Sequence, residues 1–285
     1  MLRPFILCAD DFGLTLGVDD AVLDLAARGR LSAVSAMVTA PAWRADASRL
    51  RALGAGTELG LHLCFTEFAP LEGASSLAPG GRPRSQGALL AAILGGRLRR
   101  DDVRREIARQ IESFADAVGR RPDFVDGHHH AHQFPLIAAL VAEAIAERGS
   151  AWRPWLRVCA DSLASIRQRG HRVLDAAAAS FLGHRLRRRA AACGIPTNDG
   201  ISGFYDVRGA ASYAALFPSF LRAPGPRHLV VCHPGRCADD AERRRPWMRC
   251  REHEHAFLAG PDFADLCARE GVRVATFAEV AGAAC

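Results

Sequence analysis

Compact apolar runs alternate along this chain with longer stretches whose apolar residues recur every three or four positions. Compact runs bounded by turn residues suit buried strands, and the recurrent spacing suits amphipathic helices. Residues 5–9 read as a strand, 18–28 as a helix stopped by Gly29, 32–39 as a second strand and 42–53 as a helix ending at Gly54. Residues 58–65 form a third strand carrying His62, and residues 70–87, rich in Gly, Pro and Ser, read as a long loop. A strongly amphipathic helix is expected at 101–118, a fourth strand at 123–128 and a helix at 134–148 closed by Gly149. The middle is less regular. It holds a strand at 156–160, an Ala- and Arg-rich helical stretch at 163–192, and a loop at 198–205 with Asn198, Asp199 and Gly200. A short helix at 212–221 precedes a clear late strand at 228–233, a helix at 252–269, a final strand at 272–276 and a last short helix.

Strand then helix thus recurs about seven times without an internal repeat, which argues for an α/β fold with a mainly parallel sheet. A (β/α) barrel, complete or distorted, and an open doubly wound sheet both accommodate the pattern. The stretch Asp10-Asp11-Phe12-Gly13-Leu14-Thr15-Leu16-Gly17 lacks a G-x-G-x-x-G fingerprint, which disfavours a dinucleotide fold.

Composition narrows the class. With 285 residues, 49% hydrophobic and 24% charged, the chain suits one large domain over residues 1–285 and can bury a core without staples. The apolar run at 5–9 is too short for a signal peptide and meets two acids; no run is long enough to span a membrane. Nine cysteines without CxxC pairs read as reduced thiols of a cytoplasmic protein, with Cys8 and Cys232 in the core. The net charge is +6, and all 37 basic residues are Arg. The Arg clusters at 97–105, 185–189 and 243–251 read as solvated faces, with peripheral contact to anionic lipid as the alternative. Apart from Trp247 no aromatic residue interleaves them, which disfavours nucleic acid.

Position carries the chemistry. Asp10-Asp11 follows the first strand, His62 lies near the end of the third, Asp126 to His132 follow the fourth, and His233 ends the late strand before Pro234-Gly235. The carboxyl ends of strands are where active sites form in barrels and open α/β sheets alike. Each piece has a bland alternative: an Asp pair can cap a helix, and His62 or His233 can be a core or turn residue. The tract His128-His129-His130-Ala131-His132 has little structural use. A carboxylate and two imidazoles can hold a divalent ion and leave room for water and substrate. A second carboxylate can take a proton from that water, and an imidazole opposite can protonate a departing amine. Asp10 and Asp11 are adjacent, so both reach one site only at a strand end or bend. Residues and spacing alone support a metal-dependent hydrolase.

At these residues the chain resembles the YdjC-like (ChbG/HpnK-like) carbohydrate deacetylase family. The matching stretches are Ala9-Asp10-Asp11-Phe12-Gly13, Gly60-Leu61-His62-Leu63, Val125-Asp126-Gly127-His128-His129-His130-Ala131-His132 and His233-Pro234-Gly235, with Arg251-Glu252-His253-Glu254 and Pro261-Asp262-Phe263 later. The resemblance spans nearly the whole chain and is weakest over 153–192. It implies a distorted (β/α) barrel that hydrolyses the acetamido group of an N-acetylated sugar, oligosaccharide or glycolipid, with one divalent ion, Mg²⁺ or Zn²⁺. It implies Asp11, His62 and His128 as ligands, Asp10 as general base and His233 as acid. His130, His132 and Asp126 are then substrate contacts or supports of the ligands, and His128, His130 and His132 share one side if the strand stays extended. The family often has Ser where this chain has Gly127. A phosphoesterase and a non-catalytic sugar-binding protein on the same scaffold are the alternatives. Two features of the middle carry alternatives: the helix around 182–192 reads as a solvated helix, with approach to a membrane as the alternative, and the loop with Asp199 and Tyr205 reads as a turn, with shaping of the substrate pocket as the alternative.

Overall fold

The computed structural model describes residues 2–54, 56–207 and 212–282. Among the described residues there are eight strands: β1 (Arg3–Phe12), β2 (Ala33–Ala36), β3 (Glu58–Leu63), β4 (Phe124–Gly127), β5 (Trp155–Leu156), β6 (Ile201–Ser202), β7 (Leu229–Cys232) and β8 (Val272–Val274). The α-helices of the described residues follow or separate them: α1 (Leu16–Ala27), α2 (Trp43–Leu50), α3 (Gln86–Leu94), α4 (Arg100–Val118), α5 (Pro135–Ala146), α6 (Leu163–Arg169), α7 (Val173–Ala192), α8 (Tyr213–Phe220), α9 (Asp240–Arg243), α10 (Pro246–Ala259), α11 (Pro261–Arg269) and α12 (Phe277–Gly282).

Every strand pair is parallel, in the order β5-β4-β3-β2-β1-β7-β6, with β8 pairing the first half of β1. The two ends of this path meet. The Leu156 amide donates to the Pro196 carbonyl at 2.8 Å, and Leu156 bridges Thr197. Buried Asn198 then laces the seam: its Oδ1 accepts from the Val158 amide (2.8 Å) and its Nδ2 donates to the Val158 carbonyl (2.9 Å). The sheet curls into a distorted barrel, and of the two architectures the sequence allowed this is the one adopted.

Strand residues alternate between two faces. Phe5, Leu7 and Ala9 pack outward with the helices, in a core shared with Leu59, Leu61, Leu63, Val230 and Cys232. Ile6, Cys8, Ala33, Phe124, Trp155, Ile201, Leu229 and Val231 form a separate cluster that fills the barrel interior. Gly60 lies on that inner row: a Cβ there would meet the Phe124 ring at 2.2 Å, so glycine is what lets Phe124 fill the lumen. One step further along each strand the same inner row turns polar, as Asp10, Ser35, His62, Asp126 and Arg157.

Several local expectations change. The stretch 163–192 is two helices, α6 and α7, parted by Gly170 in the left-handed region (φ 76°). The late helix begins at Pro246 rather than 252, because Pro is favoured in the first turn, and it breaks at Gly260-Pro261. Loop 198–205 contains β6, and α3 starts at the end of the Gly/Pro-rich stretch, capped by the Ser85 side chain. Helix α7 is wedged against the barrel: Ser180, Gly183, Leu186 and Ala190 are buried, and Arg187 donates to the carbonyls of Ala160 and Asn198. The Arg-rich 182–192 segment is therefore a packed barrel helix, not a free amphipathic one.

Candidate active site

The polar layer begins with a break in β1. Its register with β2 shifts between Ala9 and Phe12, and Asp11 is left-handed (φ 68°). The kink turns two adjacent carboxylates toward one site, as the sequence required. Asp10 continues the inner row and meets the guanidinium of Arg157 in a fork, Nη1 to Oδ1 at 2.6 Å and Nη2 to Oδ2 at 2.8 Å. Arg157 is wholly buried, and its Nε lies 3.0 Å from Asp126 Oδ2. Burial opposes the charge of Asp10, but Arg157 outweighs it and holds the carboxyl far below the usual range.

His62 sits opposite Asp126 in the β3–β4 register. Its Nδ1 lies 2.6 Å from Asp126 Oδ1, which also accepts from Ser35 Oγ at 2.5 Å. Its Nε2 therefore faces Asp11 Oδ1, 3.5 Å away. His128 brings Nδ1 to 3.0 Å from the same Asp11 oxygen, while Asp11 Oδ2 pairs with Arg251 from α10. Asp11, His62 and His128 are all buried, and their ligating atoms lie within 4.8 Å of one another.

Electrostatics fit this donor set to a cation. Burial disfavours charge on His62, yet Asp126, Asp10 and Asp11 raise it to about 10; burial is likewise outweighed at His128 by Asp11 and Glu67, which raise it to about 9. Three carboxylates against Arg157 and Arg251 leave the layer short of positive charge unless the imidazoles carry protons or a cation replaces them. A buried carboxylate with two imidazoles, one anchored by Asp126 through its far nitrogen, is the chemistry a divalent ion takes.

The histidine tract does not stay extended. β4 ends at Gly127, and residues His128–Gln133 form a tight 3₁₀ turn with His129 and His130 left-handed (φ 52° and 55°). The three alternate imidazoles therefore do not share a side. His130 lines the cavity beside Phe204, and burial holds it well below its ordinary value. His132 points away: its Nε2 lies 2.9 Å from the Arg157 carbonyl, and burial lowers it to about 4, a neutral donor that supports the β5 end. Asp126 supports His62 and Arg157 rather than lining the cavity.

His233 follows β7, half-exposed, with Nε2 3.9 Å from Asp10 Oδ2. Its backbone amide donates to buried Glu254 Oε2 at 2.6 Å, and Glu254 Oε1 accepts from the Tyr205 hydroxyl at 2.5 Å. Above this floor opens a cavity of about 740 Å³, with Leu90, Phe134, Leu182, Phe204 and Trp247 on its walls. Tyr205 lines it, whereas Asp199 pairs with Arg227 at the other end of its loop.

Four participants were given no role in the site by the sequence: Arg157, Arg251, Glu254 and Glu67, whose Oε2 lies 3.1 Å from His128 Nε2. Arg157 had a signal, a single charge in the apolar run Trp155-Leu156-Arg157-Val158-Cys159-Ala160 at an inward position. Arg251 was assigned to a solvated Arg cluster; the earlier start of α10 turns it inward instead.

The model for YdjC-like protein matches residues 4–269. A chitooligosaccharide deacetylase of Enterobacter sp. (strain 638) is 33% identical over 153 residues, 54% of this chain and 60% of that protein. The chain thus spans about three-fifths of the length of those bacterial relatives. Carbohydrate deacetylases of Mus musculus and Homo sapiens are each 28% identical, covering 94% and 96% of this chain and 92% and 91% of theirs. A crystal structure from Enterococcus faecalis, of a candidate cellobiose-phosphate cleavage protein, superimposes with a TM-score of 0.71 over 98% of this chain and 99% of its own, at 21% identity. The match over residues 4–269 places this chain in the YdjC-like protein family.

Proposed function

We propose that this chain is a metal-dependent carbohydrate deacetylase, which hydrolyses the N-acetyl group of an N-acetylated sugar and releases acetate. The observation that carries the reading is the convergence of Asp10, Asp11, His62, His128 and His233 on the floor of one cavity. The names of the relatives support the substrate class. Asp11, His62 and His128 hold a divalent ion, Zn²⁺ or Mg²⁺, the donor set favouring Zn²⁺. That ion supplies Lewis acidity to the acetamido carbonyl and acidity to water.

The chain supplies the rest. Arg157 keeps Asp10 ionised and aligned, and Asp10 takes a proton from the attacking water as its oxygen bonds the acetyl carbon. The C–N bond breaks as His233 gives the nitrogen a proton; acetate and a free amine leave. Ser35 and Asp126 hold the His62 ring, and Glu254 holds the backbone of His233.

Asp10→Asn should keep the bound ion and lose ~10²–10⁴-fold in turnover, whereas Asp11→Asn, His62→Ala and His128→Ala should lose the ion. Metal analysis beside acetate release from N-acetylglucosamine oligomers checks this division. Near-parental turnover in Asp10→Asn removes it as base, and phosphate release from phosphoesters without acetate release replaces the reaction class. Sugar binding with an ion bound but no hydrolysis would make the chain a binding protein.

The acceptor is an oligosaccharide or a glycolipid. The apolar walls suit either the face of a sugar ring or a hydrocarbon tail, and Leu94, Leu174 and Phe181 are exposed on α3 and α7, two of the helices that line them. Parallel assays on chito-oligosaccharides and acetylglucosaminyl lipids, with vesicle sedimentation as the test of peripheral membrane contact, choose between them. No helix among the described residues is long and apolar enough to cross a membrane. The described cysteines are all free, which supports a reducing, cytoplasmic setting.

A further inference from the structure

Glu67 lies in the loop after β3, in a left-handed conformation (φ 65°) that a glutamate rarely adopts. Burial does not hold it there, since its side chain is 49% exposed. Its carboxylate reaches two rings of the histidine tract: Oε2 lies 3.1 Å from His128 Nε2, and Oε1 lies 3.6 Å from His129 Nε2. The other nitrogen of His129 is 3.2 Å from Thr66 Oγ1, and its carbonyl accepts from Gln86 Nε2 at 2.8 Å, so the tract is pinned against this loop.

An ionised carboxylate only accepts hydrogen bonds, and a neutral imidazole carries a single N–H. The Glu67 bond therefore takes an N–H at Nε2 of His128; Nδ1, 3.0 Å from Asp11 Oδ1, donates to that carboxylate in the ion-free protein and would offer its lone pair only once a cation replaces its proton. Asp126 acts on His62 in the mirrored sense, holding Nδ1 and freeing Nε2. The two imidazoles thus present opposite nitrogens to one point, each set by a carboxylate behind it.

We propose that Glu67 is a positioning residue of the cation site: it fixes the tautomer and ring angle of His128, and the strained backbone of Glu67 is kept for that purpose. This rests on Asp11, His62 and His128 binding an ion. Glycine relieves the left-handed backbone, so a residue kept for the fold and one kept for the ion respond differently to Glu67→Gly. The expected result is an unchanged or higher melting temperature of the metal-free protein together with a ~10–100-fold weaker zinc Kd. Glu67→Gln, which keeps an acceptor oxygen without its charge, should fall between parent and Glu67→Gly.

The Kd is read by competition with a chromophoric chelator on the full chain, and the His128 tautomer by ¹⁵N NMR of the zinc-loaded protein. Parental affinity in Glu67→Gly, or ligation of His128 through Nε2, overturns the proposal. Two zinc ions per chain, one lost in Glu67→Gly, would also overturn it by making Glu67 and His129 ligands of a second ion. Failure of the parent itself to bind zinc or magnesium would instead reject the metal-dependent reading on which the proposal stands.

Discussion

A buried carboxyl that no guanidinium forks onto shows at residue scale what the site's ion pairs accomplish. Asp19, on α1, accepts the Gly13 amide at 2.6 Å and has no exposed surface. Burial raises its carboxyl from an ordinary 3.8 to about 8, against the Gly13 amide, and the neighbouring Asp46 carboxylate adds to the rise. Asp10, equally buried, moves the opposite way because Arg157 forks onto it. A carboxyl raised on folding binds its proton more tightly in the folded chain. It therefore stabilises below the unfolded value and loses that contribution as pH rises toward about 8. Asp19→Asn keeps the acceptor oxygen and removes the titration. Denaturant melts should match the parent near pH 4 and show a more stable variant above pH 8; equal slopes of stability against pH would refute the assignment.

The histidine tract shows how much a single element decides. An extended strand would have put His128, His130 and His132 side by side, the condition on which the sequence let them share one side. Two left-handed residues instead fold the tract into a turn that sends His128 to Asp11, His130 to the cavity and His132 behind β5. A site role and a structural role then separate by experiment. His132→Ala orphans the Arg157 carbonyl and should destabilise the fold by about 1–3 kcal/mol, measured by urea unfolding. Bound metal should stay at the parental level, in contrast to His128→Ala. Loss of the ion in His132→Ala would return it to the ligand set. Helix α10 teaches the same lesson, since moving its start to Pro246 aims Trp247, Arg251 and Glu254 at the cavity together.

At the scale of the whole molecule the barrel depends on its seam. Strands β5 and β6 are two residues each, and Asn198 supplies side-chain bonds where the backbone ladder between them is thin. Because β5 leads directly into Arg157, the seam also positions the partner of Asp10. Asn198→Ala leaves the buried Val158 amide without its acceptor and should cost about 1–3 kcal/mol. Hydrogen exchange should quicken at Val158 far more than in β1, and uniform exchange across the sheet would contradict a local seam.

Much was legible without coordinates. Alternation of strand and helix placed the polar motifs at strand ends, and the inner period of two carried Ile6 and Cys8 on to Asp10, and Phe124 on to Asp126. Those are local properties: a backbone period and a residue type suffice to read them. Which groups face each other was not legible. Arg157 meets Asp10 across 147 positions, Arg251 meets Asp11 across 240 and Glu67 meets His128 across 61. No local pattern encodes such pairs, because closure of the barrel brings them together. The residue types and their strand-end positions came from the sequence alone. The tautomers, the depressed acidity of Asp10 and the turn of the histidine tract came from burial and partners that only the folded chain supplies.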